Sequence, residues 1–144
     1  MAITTNAIAS SFKKELLEGK HDFTASTGSA FKLAMYNSNA VLGKSTTSYT
    51  TGSEVTSPAG YTAGGKALVN TGTSVASSVA ITTFSNLSFT NVTLTARGAL
   101  IYNTSNSNSA VAVLDFVSDK TATAGTFTIQ FPAYTTSAAI LRIS

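Results

Sequence analysis

The chain has 144 residues, no cysteine, a net charge of +3 and only 10% charged residues, where about a quarter is usual. One domain fits that length, while disulfide frameworks and thiolate metal sites are excluded. The nine basic residues form no run beyond Lys13-Lys14 and are not interleaved with aromatics, so a nucleic-acid-binding footprint is missing. Threonine, serine and asparagine stand where Lys and Glu usually do. Such short side chains lose little rotamer entropy when ordered, which favours a surface that is buried in an assembly.

The opening MAITTNAIASSFKK lacks a basic segment ahead of an apolar run, so no signal peptide is expected. No apolar run approaches the ~18 residues of a bilayer span, and a soluble protein made in the cytoplasm, with no membrane partner, is expected. Residues 1–6 are uncharged and β-prone at Ile3, Thr4 and Thr5, suiting an extended arm that adds to a partner's sheet edge. Over residues 6–19, Ile8, Phe12 and Leu16 recur every four residues and are joined by Leu17, which predicts a helix. Asn6 or Thr5 would cap its start and Gly19 its end. Its apolar stripe fits packing over an edge or end of a sheet; a subunit contact through Phe12 and Leu16 is the sharper alternative.

Residues 31–37 alternate as a strand. Residues 39–57 are polar and Thr-rich, with Val41, Leu42 and Tyr49 as anchors, and loops this long are usually functional or mobile. A partner-binding loop is expected there, with an irregular surface excursion as the equal alternative. Gly64-Gly65-Lys66 lacks the spacing and the helix of a phosphate loop, so a bulge or tight bend accounts for its glycines. Ala67, Leu68 and Val69 follow as a short strand, and residues 74–83 and 84–90 predict two more.

Residues 91–132 predict a meander of three strands. Val92, Leu94, Ala96, Leu100 and Tyr102 share one face of the first. Ala110, Ala112, Leu114 and Phe116 share a face of the second, and Phe127, Ile129 and Phe131 a face of the third. Residues 103–109 (NTSNSNS) and 118–125 (SDKTATAG) have turn composition. Residues 138–143 close the chain as a strand. About eight strands, one leading helix and no strand–helix alternation predict an all-β antiparallel sandwich of jelly-roll-like order.

Titratable groups are few. His21 is the only histidine, next to the end of the helix, where the dipole favours a structural role. Asp115 and Asp119 could meet around a turn as an acid/base pair or a Ca²⁺ site, but the adjacent Lys120 favours ordinary capping. Arg97 lies mid-strand beside Gly98, and a cross-strand Arg97–Asp115 contact is expected within about 6 Å. No catalytic residue, cofactor or metal is expected.

SFKKELLEGKHDF, FKLAMYNSNA, GYTAGG, ARGALIYN and LDF-x-SDK-x-x-x-AG-x-F-x-I-x-FP resemble the jelly-roll capsid cement, or decoration, proteins of tailed bacteriophages, over nearly the whole chain. The resemblance implies a non-enzymatic virion protein on the capsid exterior. It would bridge neighbouring major capsid proteins, as a homo-oligomer (dimer or trimer), and it carries over no catalytic residues. Ile3, Thr4, Thr5, Phe12, Leu16, Val41, Leu42 and Tyr49 are the candidate contacts. The alternative is a tail- or fibre-associated receptor- or glycan-binding module, which Tyr36, Tyr49, Tyr61 or Tyr134 exposed together on one face would favour.

Overall fold

A computed structural model describes residues 3–56 and 60–144. The elements are β1 (Ala7–Ile8), α1 (Ser10–Leu17), β2 (Phe31–Tyr36), β3 (Lys66–Ala67), β4 (Asn70–Ala76), β5 (Val79–Phe84), β6 (Leu87–Asn103), β7 (Ser109–Ile129) and β8 (Leu141–Ile143). They form two antiparallel sheets, one ordered β1-β7-β6-β2-β3 and the other β4-β5-β8, packed as an all-β sandwich with one short helix.

The expected three-strand meander is one long hairpin. β6 and β7 pair from Asn103–Ser109 to Leu87–Ile129, with the loop of residues 104–108 between them. The second expected turn, residues 118–125, does not form: Lys120, Thr121 and Ala122 pair with Ala96, Thr95 and Leu94. Threonine favours an extended, half-exposed strand, so a polar stretch satisfied by a neighbouring ladder need not turn. Local irregularities take the place of the turn. Ala124 takes φ +47° next to Gly125, which opposes Val92, and Val117 takes φ +70° in a bulge where residues 116–119 face Arg97 alone.

A second boundary moved the other way. The strand expected over residues 74–83 folds into β4 and β5 around Ser77-Ser78, both at positive φ (51° and 63°), the signature of a type I′ hairpin turn. Glycine and asparagine normally mark such turns, so a Ser-Ser pair gave no signal.

The helix is shorter than the stripe predicted. Its start at Ala9 has no side-chain cap, because Ala7 and Ile8 pair with Val113 and Ala112 as β1, and the Asn6 side chain instead accepts a bond from the Asp115 amide at 2.6 Å. Strand pairing satisfies backbone groups that a longer helix would have had to satisfy itself. The far end is as expected. Gly19 (φ +72°) donates to the Leu16 carbonyl and Lys20 to the Glu15 carbonyl, a Schellman closure.

The larger sheet is covered on both sides near its centre. On one, Phe31 stacks on Phe23 at 4.6 Å and meets Phe84 of β5 edge-on at 5.6 Å, and Phe84 reaches Phe131, which ties the two sheets together. On the other lie Ile3 and a strap formed by residues 37–56. The strap leaves β2, bridges to the start of β7 at Ser48–Ser109, and returns to bridge Tyr36 at Glu54. Ala40, Leu42 and Val55 within it are buried in the core.

Candidate functional site

The strap is anchored by one buried carboxyl group. Glu54 accepts from the Tyr49 hydroxyl at 2.5 Å, the Tyr61 hydroxyl at 2.7 Å and the Gly64 amide at 2.7 Å. The Tyr61 oxygen accepts in turn from the Met35 amide, and the Tyr36 hydroxyl donates to the Thr50 carbonyl. Tyr102 donates to the Gly64 carbonyl, and its ring stacks on Tyr49 at 4.7 Å. Burial, with the Glu54 charge close by, raises the hydroxyl pKa of Tyr36, Tyr49 and Tyr61 well above the ordinary value, so each stays protonated and serves as a donor. Only glycine fits at residue 65, since a Cβ there would lie 1.8 Å from the Leu33 carbonyl oxygen, at φ +81°. Gly60 and Gly65 of GYTAGG are therefore close backbone approaches, while Gly64 is needed for its positive φ of 93°.

Nothing in the composition pointed to Glu54. The one available signal is the lone acid of a Thr-rich loop whose only other charge is Lys44, with Tyr49 on one side and Tyr61 on the other.

Four of the five remaining carboxylates also have structural partners. Arg97 Nε lies 3.3 Å from Asp115 Oδ1, which accepts the Val117 amide as well and so shapes the bulge. Asp22 accepts from the Thr24 amide and hydroxyl, and these bonds lower its pKa. Glu18 is held at about 2, first by its bond to Lys14 and then by Lys20. Glu15 accepts from Asn106 and faces His21 Nε2 at 3.8 Å. His21 is buried, with Nδ1 2.9 Å from the Asn103 amide nitrogen, and burial lowers its pKa. Asp119 is exposed. Among the described residues no group of three His, Cys, Asp or Glu side chains could hold a metal ion, and no helix is long and apolar enough to cross a membrane.

Three of the expected contact residues face the chain's own interior. Ile3 is fully buried, close to where a Cβ on Gly98 would sit, so the arm is tied into the core from Ile3 onward; residues 1 and 2 lie outside the described residues. Phe12 packs on His21 and Phe23, and Leu42 is buried as part of the strap. The correction has one cause: both faces of the sheet need cover, and Phe12 helps to cover one while Ile3 and the strap cover the other. Leu16 and Tyr49 are half-buried, whereas Thr4, Thr5 and Val41 are exposed. Of the four tyrosines considered for sugar stacking, Tyr36 and Tyr61 are buried, Tyr49 is half-buried, and Tyr134 lies apart, donating to the Gly72 carbonyl.

Comparison with protein-family models, curated proteins and solved structures found no match.

Proposed function

We propose that this is a structural virion protein that binds the outer surface of a bacteriophage capsid and cements neighbouring major capsid proteins. The observation that carries the reading is a surface of short hydroxyl side chains from which large apolar groups project singly. Leu17 is 91% exposed, Val117 78%, Val75 71% and Val41 70%. On a rigid body these are contact points that lose little entropy on docking, and many modest contacts repeated over a lattice add up through avidity. The resemblance of its motifs to those of the cement proteins supports the same reading.

A sandwich covered on both faces of its main sheet, with its loop strapped down, suits a part that must hold a fixed geometry. The fate of the carboxylates agrees with it, because Glu15, Glu18, Asp22, Glu54 and Asp115 are each engaged in holding the fold.

The test is the protein's position in intact particles by electron microscopy. Hundreds of copies on the head lattice are expected, at junctions between capsid proteins. A few copies confined to the tail would overturn the reading in favour of a receptor-binding module.

A further inference from the structure

Among the described residues the outer edge of β7 is paired only near its start, by the strap residue Ser48 at Ser109 and by β1 at Ala112 and Val113. Beyond the bulge, where the ladder with β6 resumes at Lys120, β6 is the only strand partner of β7 among the described residues. An unpaired edge presents a row of amide and carbonyl groups ready to template another strand. The bulge at residues 116–119 blunts the part nearest β1 and leaves a free edge from Lys120 onward, interrupted by the irregularity at Ala124 and Gly125.

Along this edge runs a groove of about 850 Å³. Phe116, Ala122, Phe127, Ile129 and Ile140 provide its apolar lining, with Phe116 and Phe127 ring to ring at 6.0 Å. The only charged side chains lining it are Lys120 and Arg142. Neither has an ion-pair partner among the described residues: Lys120 donates to the Ser118 hydroxyl and Arg142 to the Ser137 carbonyl. Asp119 is not part of the lining.

We propose that this edge binds an extended acidic segment of a partner protein as an added strand, in line with β1. Main-chain bonds to β7 would supply affinity, apolar side chains on alternate positions would enter the groove, and carboxylates would meet Lys120 and Arg142. About eight residues, spanning about 27 Å, fill the free edge. A second copy of this edge is the poorer occupant, because its lining offers no carboxylate to meet Lys120 and Arg142. The assumption that the segment belongs to a capsid protein rests on the function proposed above; the chemistry of recognition does not.

The experiment is a titration of the ¹⁵N-labelled full chain with two synthetic ten-residue peptides, Val and Thr alternating with Glu in one and with Lys in the other. The acidic peptide is expected to shift the amides of residues 120–128 and protect them from exchange, binding roughly tenfold more tightly than the basic one. The double variant K120E/R142E, altered at two exposed positions, should keep the fold and reverse the preference. Equal binding of both peptides, shifts elsewhere, or no binding would overturn the proposal. So would protection of those amides without peptide in a chain that sediments as a dimer, which would make a second copy the occupant. Head occupancy separates the two readings. Peptide binding without decoration counts against the capsid role alone, and unchanged decoration by K120E/R142E counts against strand addition alone.

Discussion

Residues 98–103 of β6 and 109–113 of β7 are buried throughout, with the aromatic cluster under one face of the sheet and the strap and Ile3 over the other. Farther along the same two strands, residues 87–96 and 120–129 make a ribbon in which Val92, Leu94, Phe127 and Ile129 are buried while Thr93, Thr95, Thr121 and Thr128 face water. The boundary is the Arg97–Asp115 pair, beside the bulge and Gly98. The contrast shows that one hairpin can belong to two environments, and that each half is written accordingly. A strand covered on both faces reads as an unbroken apolar run, as in ALIY and AVAVL, whereas a strand with one wet face alternates.

The sharpest way to break this comparison is to hollow out the doubly covered half. Leu100→Ala removes a fully buried side chain and should destabilise by about 3–4 kcal/mol, read as a lower urea midpoint at unchanged slope. A loss under about 1 kcal/mol, the range of surface changes, would mean that the strap does not close that face.

Next is the anchor of the strap. Glu54→Ala leaves the half-buried Tyr49 hydroxyl, the buried Tyr61 hydroxyl and the Gly64 amide without their acceptor and should destabilise by about 2–3 kcal/mol. Amide exchange in residues 37–56 should accelerate more than in β4 and β5. Uniform acceleration would show that the strap does not open by itself.

A pH effect marks the other cover. His21 has its pKa lowered by burial, so over the window just below its ordinary value near 6.5 the unfolded chain binds the proton more readily. The stability His21 contributes is complete above about pH 6.5 and falls as the pH drops through that window. Thermal melts at pH 7.5 and 5.5 should differ in that sense, and His21→Gln should shrink the difference. A variant with the same pH slope would place the titrating group elsewhere.

The smallest effect belongs to the wet face of the ribbon. Thr95 and Thr121 join hydroxyls at 2.8 Å in full exposure, and Thr95→Ala should change stability by no more than about 0.5 kcal/mol. A larger loss would erase the distinction between the two halves.

Much of the fold was legible because its signals are local. The alternation over β2, the loop of residues 103–109, the glycine closing the helix and the closeness of Arg97 to Asp115 depend on residues near in sequence or opposed in one hairpin. The candidate site was far less legible. Ile3, Phe12 and Leu42 looked available for contact because nothing near them in sequence takes them up, and Glu54 looked like any exposed acid.

By itself the sequence determined that this is an all-β chain with one helix, a low-charge hydroxyl surface and apolar strands turning at residues 103–109. It did so through side-chain periodicity and composition, which are properties of short stretches. Tertiary structure alone decided that the polar stretch of residues 118–125 runs on as strand, that the loop of residues 37–56 is a strap over the main sheet, and that one edge of β7 stays open. Those outcomes depend on which distant segment satisfies a backbone edge or covers an apolar face, and only the folded chain brings such segments together.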